Sequence, residues 1–263
     1  MASGSLIYNP GLDEMARHNP GVARFEQRIY PDPVTGLPTT KRGFIVFPKV
    51  EVINPELICE FMLPQGYAGT TGLTATFAYA VEWPVVTGAV VFDVAFERMK
   101  ASNAGSSINQ SGFFLPSKIA ANTVATTPGS VKNLSQAVAK ANTLALIGQT
   151  TLAAAALVGA TSLVVASSLA GVATNNLLLE RDASLQELAI ASAISGQTAP
   201  ATYTVGATSN AHAAGSRVDI FDATANIAAA GDMMRMRIRR LTADAGDTCA
   251  VAALLLSLSI SET

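Results

Sequence analysis

Charge is scarce in this chain. Asp, Glu, Lys and Arg make up 14% of the 263 residues, and the formal net charge is −2. Such a chain has no general pull toward nucleic acid or an anionic membrane. It also carries less surface charge than a freely soluble small domain, so surfaces that meet other protein are expected. Aromatic residues reach only 6%, with a single Trp83. That argues against a saccharide cleft lined by exposed rings.

Cysteine and histidine are nearly absent. Cys59 and Cys249 lie in strand-like apolar runs and read as reduced core thiols. A disulfide between two such distant strands stays open, because connectivity is not readable from sequence. His18 sits beside Asn19-Pro20, and His212 lies in Asn210–Gly215. Neither has a partner at metal-ligand spacing, so both read as solvated loop histidines. No phosphate loop ending in Gly-Lys-Ser/Thr occurs, and no Gly-x-Ser-x-Gly elbow. Asp93 and Glu97 share one strand face roughly 13 Å apart, too far for a paired acid and base. Asp244 and Asp247 flank a turn, where Asp caps its own backbone. A calcium site there would need more oxygen ligands than the loop offers. These absences predict a protein that is not an enzyme, with no cofactor and no metal.

A long apolar run is also missing. No charge occurs between Lys140 and Glu180, but Leu152–Leu169 is interrupted by Gly159, Thr161, Ser162, Ser167 and Ser168. A spanning helix wants about 20 predominantly apolar residues with better helix formers. Leu157–Val165 reads instead as strand, turn, strand. A short helix through Leu152–Val158, favoured by alanine, is the alternative for that piece. The opening Met1-Ala2-Ser3-Gly4-Ser5 has no basic stretch leading into an apolar one, so no secretory signal is expected.

What the chain does have is alternation. Leu73, Ala75, Phe77, Tyr79, Val81 and Trp83 occupy one parity, and Thr74, Thr76, Ala78, Ala80 and Glu82 the other. Val90, Phe92, Val94 and Phe96 alternate with Val91, Asp93, Ala95 and Glu97. Period two marks strands, and their spacing with Gly, Pro and Ser breaks predicts an all-β antiparallel sandwich of jelly-roll type. Residues 1–42 hold five of the twelve prolines and read as an extended, irregular arm, with one or two helical turns at Asp13–Arg17. The sandwich is expected over 43–142 and 222–263. Residues 143–221, rich in Ala, Thr, Ser and Gly, read as an inserted small β module. Its candidate strands are Ser162–Ala166, Asn176–Glu180, Glu187–Ile194, Tyr203–Val205 and Arg217–Phe221.

The last residues alternate twice. Arg235, Arg237 and Arg239 are interleaved with Met234, Met236 and Ile238. Leu254, Leu256, Leu258 and Ile260 are interleaved with Leu255, Ser257, Ser259 and Ser261. Joined by Thr242–Thr248, the two runs predict a hairpin with one buried and one wet face. No aromatics interleave with the arginines, as they would in a single-strand binder. The stripe is expected to be a solvated face paired across the sheet with Asp93 and Glu97, or a contact to a neighbouring subunit.

These residues carry a resemblance. The run Gly231–Arg240, the segment Ala243–Thr248 and the strand Leu254–Ile260 together resemble the C-terminal hairpin of a group of tailed-bacteriophage virion proteins. Val91–Arg98 and Phe77–Trp83 are similar to the central strands of the same domain. The likeness covers roughly residues 70–140 and 222–263. Gly159–Val165 and His212–Val218 resemble small β modules that recur in phage structural proteins. The long insertion and the proline-rich arm depart from the usual pattern. The resemblance implies a virion protein, most simply a capsid decoration or cement protein on the head surface. Its partners would be the major capsid protein and copies of itself, as a homotrimer or homodimer, with no nucleic acid and no membrane. A tail or baseplate protein that binds a host glycan is the alternative. The candidate contact residues are Arg17, Arg24, Arg28 and Tyr30 of the arm, with Arg235, Arg237 and Arg239.

Overall fold

The computed structural model describes residues 6–9, 24–31, 38–49, 55–82, 87–99, 113–124, 130–144, 146–167, 176–180, 186–195, 199–221 and 228–263. The side chains of 24–31 and 38–43 are not among those described. Arg17, the expected turns at Asp13–Arg17, His18 and Trp83 lie outside the described residues. The regular structure of the described residues is strand, apart from one 3-10 turn at Lys140–Asn142. No helix is long and apolar enough to cross a membrane among the described residues.

The chain divides into two compact units. One comprises 1–96, 115–139 and 235–263, and the other 97–114 and 140–234. Ten strands precede the 3-10 turn: β1 (Leu6–Tyr8), β2 (Arg24–Pro31), β3 (Pro38–Phe47), β4 (Glu56–Met62), β5 (Gly72–Val81), β6 (Ala89–Val90), β7 (Phe92–Met99), β8 (Ser117–Lys118), β9 (Asn122–Thr123) and β10 (Lys132–Ala139). Six follow it: β11 (Leu146–Thr151), β12 (Ser162–Val165), β13 (Asn176–Leu179), β14 (Glu187–Ser195), β15 (Ala201–Val205) and β16 (Arg217–Phe221). β17 (Met233–Arg240) and β18 (Ala253–Glu262) close the chain.

The first unit is a sandwich. One sheet runs β10-β5-β18-β3-β2 with β1 added on β18; a second runs β4-β17-β7-β8. The rings explain why these sheets face each other. Phe92 of the second sheet meets Phe47, Phe77 and Tyr79 of the first edge-on, with centroids 5.3 to 5.7 Å apart. Phe61 of β4 stacks on Tyr8 of β1 at 5.5 Å. Such edge-to-face pairs add about 1 kcal/mol each beyond area burial. β5 keeps the expected faces: Leu73, Ala75, Phe77 and Tyr79 are buried, and Thr76 is exposed. On β3 four consecutive residues, Phe44 to Phe47, are all buried. The strand is therefore covered on both faces, and a second cluster of Phe44, Val46, Ala252 and Leu254 fills the face away from the rings.

The arm differs from expectation. Arg24–Pro31 pairs antiparallel with β3, from Arg24 opposite Val46 to Pro31 opposite Pro38. Pro31 and Pro38 form the last pair of this register, where a missing N–H costs little. Their density in sequence masks a regular strand beside them.

The closing hairpin is also overturned. β17 and β18 lie in different sheets, so 241–252 is a crossing between the two layers. Alternation fixes which faces a strand has, not which strand it pairs with. Within β18 a bulge between Leu255 and Ser257 shifts the parity. Leu255 stands opposite Tyr79 and Leu258 opposite Phe77, while Leu254 joins the cluster on the other face. One extra residue re-phases the strand, as bulges do.

The second unit holds a closed barrel. Its sheet runs β11-β16-β13-β14-β15-β12. β12 then meets the far end of β11: Leu152 bridges Val165, Ala153 N donates to Val164 O at 2.8 Å, and Ala166 N donates to Thr151 O at 2.8 Å. Among the described residues these bonds join the two ends of the sheet at residues 151–153 and 164–166. The interior is filled by Leu163, Val165, Leu177, Leu179, Tyr203, Val218 and Ile220 with small Ala189, Ala191 and Ala201 between them. Leu152–Val158 is not helical; it contributes single bridges at Leu152 and Ala156.

Candidate functional site

The arginine strand does not present a wet face. β17 lies between β4 and β7, and Met234 to Ile238 are all buried. Arg235 is 5% and Arg237 2% exposed, so neither offers an open surface to a partner. Arg237 Nη1 lies 3.9 Å from Glu56 Oε2. Arg239 gives Nε and Nη2 to Asp93 Oδ2 at 3.1 and 2.6 Å. The expected cross-sheet pairing with Asp93 therefore holds, but in a buried setting. Arg24, Arg28 and Tyr30 lie on β2, and their side chains are not described.

The neighbouring Arg240 is the deepest charge in the sandwich, with a side chain that is 0% exposed. Its parity is that of Met234, Met236 and Ile238, which aims it at the core. Nε and Nη2 fork onto Asp247 Oδ2 and Oδ1, both at 2.9 Å. Nη1 donates to Phe47 O and Val251 O, and Nη2 also donates to Cys249 O at 2.8 Å. All five guanidinium N–H groups thus have an acceptor. Asp247 takes two more donors, Lys49 Nζ at 2.9 Å and Val91 N at 3.2 Å. Burial pushes the Asp247 carboxyl up, but the bonds from Arg240 and Lys49 outweigh it and hold it below its usual value. Asp247 is therefore not the cap of its own turn. Asp244 does cap one, accepting from Gly246 N at 2.8 Å. The parity of Arg240, an arginine among core residues with an aspartate seven positions on, was the available signal.

Two smaller features complete the unit. Gly88 has φ +96, and a Cβ there would lie 2.9 Å from the Cys249 backbone. Cys59 and Cys249 are free and buried, and burial, then Glu60, pushes the Cys59 thiol to about 12. On these terms Cys59 is not a poised nucleophile.

In the second unit His212 is not a solvated loop residue. Its side chain is 0% exposed. Nδ1 lies 3.2 Å from Glu180 Oε1 and Nε2 lies 3.1 Å from Glu187 Oε2. Which ring nitrogen donates depends on the tautomer. Glu180 also accepts from Ser216 Oγ at 2.7 Å, and Glu187 from Ser209 N and from Asn210 N at 3.0 Å. Hydrogen bonds from Ser216 first, then from His212, hold the Glu180 carboxyl low. Burial raises Glu187, but bonds from Ser209, His212 and Asn210 bring it below its usual value. Ser216 bonds Glu180 and not His212, so no activated nucleophile results. Elsewhere in this unit Asp232 pairs with Arg98: Nη2 donates to Oδ1 at 3.0 Å, and Nε lies 2.7 Å from Oδ2 without a hydrogen bond. Among the described residues no cluster of His, Cys, Asp and Glu could hold a metal ion.

The sites share one chemical character: they are internal clamps. Arginine forks and a doubly bonded histidine tie loops to strands; Arg240 is bonded at every N–H, whereas Asp93 Oδ1 and Arg98 Nε are buried without a hydrogen bond. Comparison of the chain with protein-family models, with curated proteins and with solved structures finds no match.

Proposed function

We propose that the chain is a non-enzymatic structural protein of a tailed-bacteriophage virion, most simply a capsid decoration protein that stabilises the head through subunit contacts. The observation that carries this reading is where the scarce charge goes. Arg240, Asp247, Arg237, Asp93, Glu97 and Arg98 are all buried, and the carboxylates of Glu180 and Glu187 turn onto a buried histidine. A chain with so little charge, used this far internally, is suited to burying its outer surface against other protein. The β sandwich and the resemblance of Gly231–Arg240, Ala243–Thr248 and Leu254–Ile260 to virion proteins support the same reading. The partners would be the major capsid protein and further copies of this chain, with no cofactor, and the jelly-roll connection of the sandwich belongs to this proposal.

The arm cannot be tested by removing residues 1–42, because that deletion takes β1, β2 and half of β3 out of the six-stranded sheet. The test is cosedimentation of the intact protein with purified heads that lack it, followed by imaging of the decorated particle. Stoichiometric density on the head surface is expected. Density at the tail tip, with binding on a glycan array, would replace the head reading with a host-recognition role; absence from both would end it.

A further inference from the structure

The two most exposed large apolar side chains among the described residues are neighbours. Leu157 is 74% and Val158 67% exposed. They sit on a tight turn, in which Ala160 N donates to Leu157 O at 3.0 Å and Gly159 has φ +82. A positive φ at the third turn position requires glycine. Thr208, 3% exposed, fixes this turn from below. Its hydroxyl donates to Leu157 O at 2.7 Å and accepts from Ala160 N at 3.1 Å. Its backbone accepts from Gly159 N at 2.7 Å and donates to Ala160 O at 3.0 Å. Two apolar side chains are thus held in solvent by four hydrogen bonds to one residue. An apolar pair pre-ordered in this way loses little entropy on docking.

Beside the turn lies a ribbon of small residues. Ala153, Ala154 and Ala155 are exposed, as are Ala211, Ala213 and Ala214. Backbone bonds put the two stretches side by side: Ala156 and His212 exchange N–H···O bonds at 2.9 and 2.8 Å, and Gly215 N donates to Leu152 O at 2.8 Å. The segments 141–179 and 204–216 contain no Asp, Glu, Lys or Arg and no Phe, Tyr or Trp.

We propose that this turn and ribbon form a self-association surface whose partner is the same surface on a second copy of the chain. An isologous contact needs one patch that carries both a projection and a shelf to receive it. Leu157 and Val158 are the projection, and the alanines are a flat shelf on which a neighbour's side chains can lie close. Charge complementarity favours the same partner: an uncharged patch matches an uncharged patch, whereas a charged surface would be stripped of water without a counter-ion. A lipid surface is recognised by basic and aromatic residues around the apolar ones, and these segments have neither. The patch covers on the order of a few hundred Å², below the roughly 800 Å² per partner of a standard interface. Association of the free protein is therefore weak and concentration-dependent, and strengthens where copies are held together.

Sedimentation velocity of the full chain over a wide dilution series tests this. The average mass of the wild type should rise with concentration. Leu157→Asp combined with Val158→Asp should weaken association at least about tenfold, with circular dichroism and melting unchanged. Ala154→Arg, on the shelf, should do the same. A wild type that stays monomeric at every concentration overturns the proposal, as does a double variant that associates like the wild type. Flotation of the wild type with uncharged phosphatidylcholine vesicles, lost in the double variant, would assign the turn to lipid instead. The proposal deepens the assembly reading without needing a particle. Self-association without head binding removes the virion role alone, and head binding by a chain that never self-associates removes this surface alone.

Discussion

The sandwich and the barrel bury charge in opposite ways. In the sandwich, Arg240 and Asp247 are both 0% exposed at the side chain, and they sit where the chain passes from one sheet to the other. The guanidinium supplies donors to Phe47, Cys249 and Val251 carbonyls. The crossing 241–252 lacks a continuous strand partner, and backbone oxygens there need donors from somewhere. In the barrel the His212 cluster ties the loop before β16 to the ends of β13 and β14. Its carboxylates keep 20% and 11% side-chain exposure. Here the two-layer fold places a fully buried ion pair at its crossover, while the barrel keeps its ionic cluster nearer solvent. The two clusters should therefore differ strongly in what their loss costs.

The largest expected effect follows from breaking the deeper clamp. Arg240→Leu leaves Asp247 buried with only Lys49 and Val91 N, and three carbonyls without their donor. Loss of one partner of a buried pair costs about 3–5 kcal/mol. Urea titration followed by hydrogen exchange with mass spectrometry should show the loss in 235–263, with the barrel segments 146–221 little changed. A cost under about 1 kcal/mol would mean that the pair is a surface-like contact and would collapse the comparison. Gly88→Ala comes next. It combines φ +96 with a 2.9 Å approach to the Cys249 backbone, so a loss of about 2 kcal/mol is expected on the same readout. A neutral result would show that 241–252 shifts freely, against the idea of a clamped crossing.

The pin of the barrel should matter less. Glu187→Gln keeps the shape and removes the charge that takes donors from His212, Ser209 and Asn210, at about 1 kcal/mol. The pH dependence carries the sharper sign. Glu180, Glu187, Asp244 and Asp247 all have folded values below their usual ones. A carboxyl depressed on folding contributes stability above its unfolded value, and that stability disappears as pH falls through the folded value. Both units should therefore weaken on acidification, not on alkalinisation from these groups. Glu180→Gln with Glu187→Gln should flatten the acid limb for the barrel segments and leave it in the sandwich. If the double variant leaves the barrel's acid limb unchanged, the cluster is not its source.

How much was legible beforehand divides along the same line. The barrel strands at Ser162, Asn176, Glu187 and Arg217 begin where the sequence places them, although β13 and β16 are buried at consecutive positions and carry no in-out period. The sandwich strand β5 is equally plain. The pairing of β17 and β18 was not, since a twelve-residue turn and a layer crossing leave the same polar break in sequence. The bulge at Leu256 was hidden because every residue from Ala252 to Leu256 is apolar, so either parity reads as core. Arg24–Pro31 was hidden by flanking prolines. For the clamps, Arg240 left a parity signal, whereas His212, Glu180 and Glu187 are brought together by the pairing of β13 with β14 and with β16, which spans up to 32 residues. No local pattern contains that.

The smallest predicted effect marks the boundary of the comparison. Lys118 of β8 pairs with Asp244, which also caps Gly246. The pair belongs to the sandwich, yet the lysine side chain is 53% exposed. If unit identity decided the strength of a clamp, this pair would resemble Arg240–Asp247. If burial decides it, Lys118→Ala should cost about 0.5 kcal/mol, as exposed pairs do, and its effect should vanish in high salt. Asp244→Ala should cost more than Lys118→Ala, because it also removes the acceptor of Gly246 N, and that difference should survive salt. A denaturant series of both variants at low and high ionic strength separates the cases. Equal, salt-sensitive losses would show that the Asp244 cap contributes nothing. A large, salt-resistant loss in Lys118→Ala would show that depth is not what distinguishes the clamps.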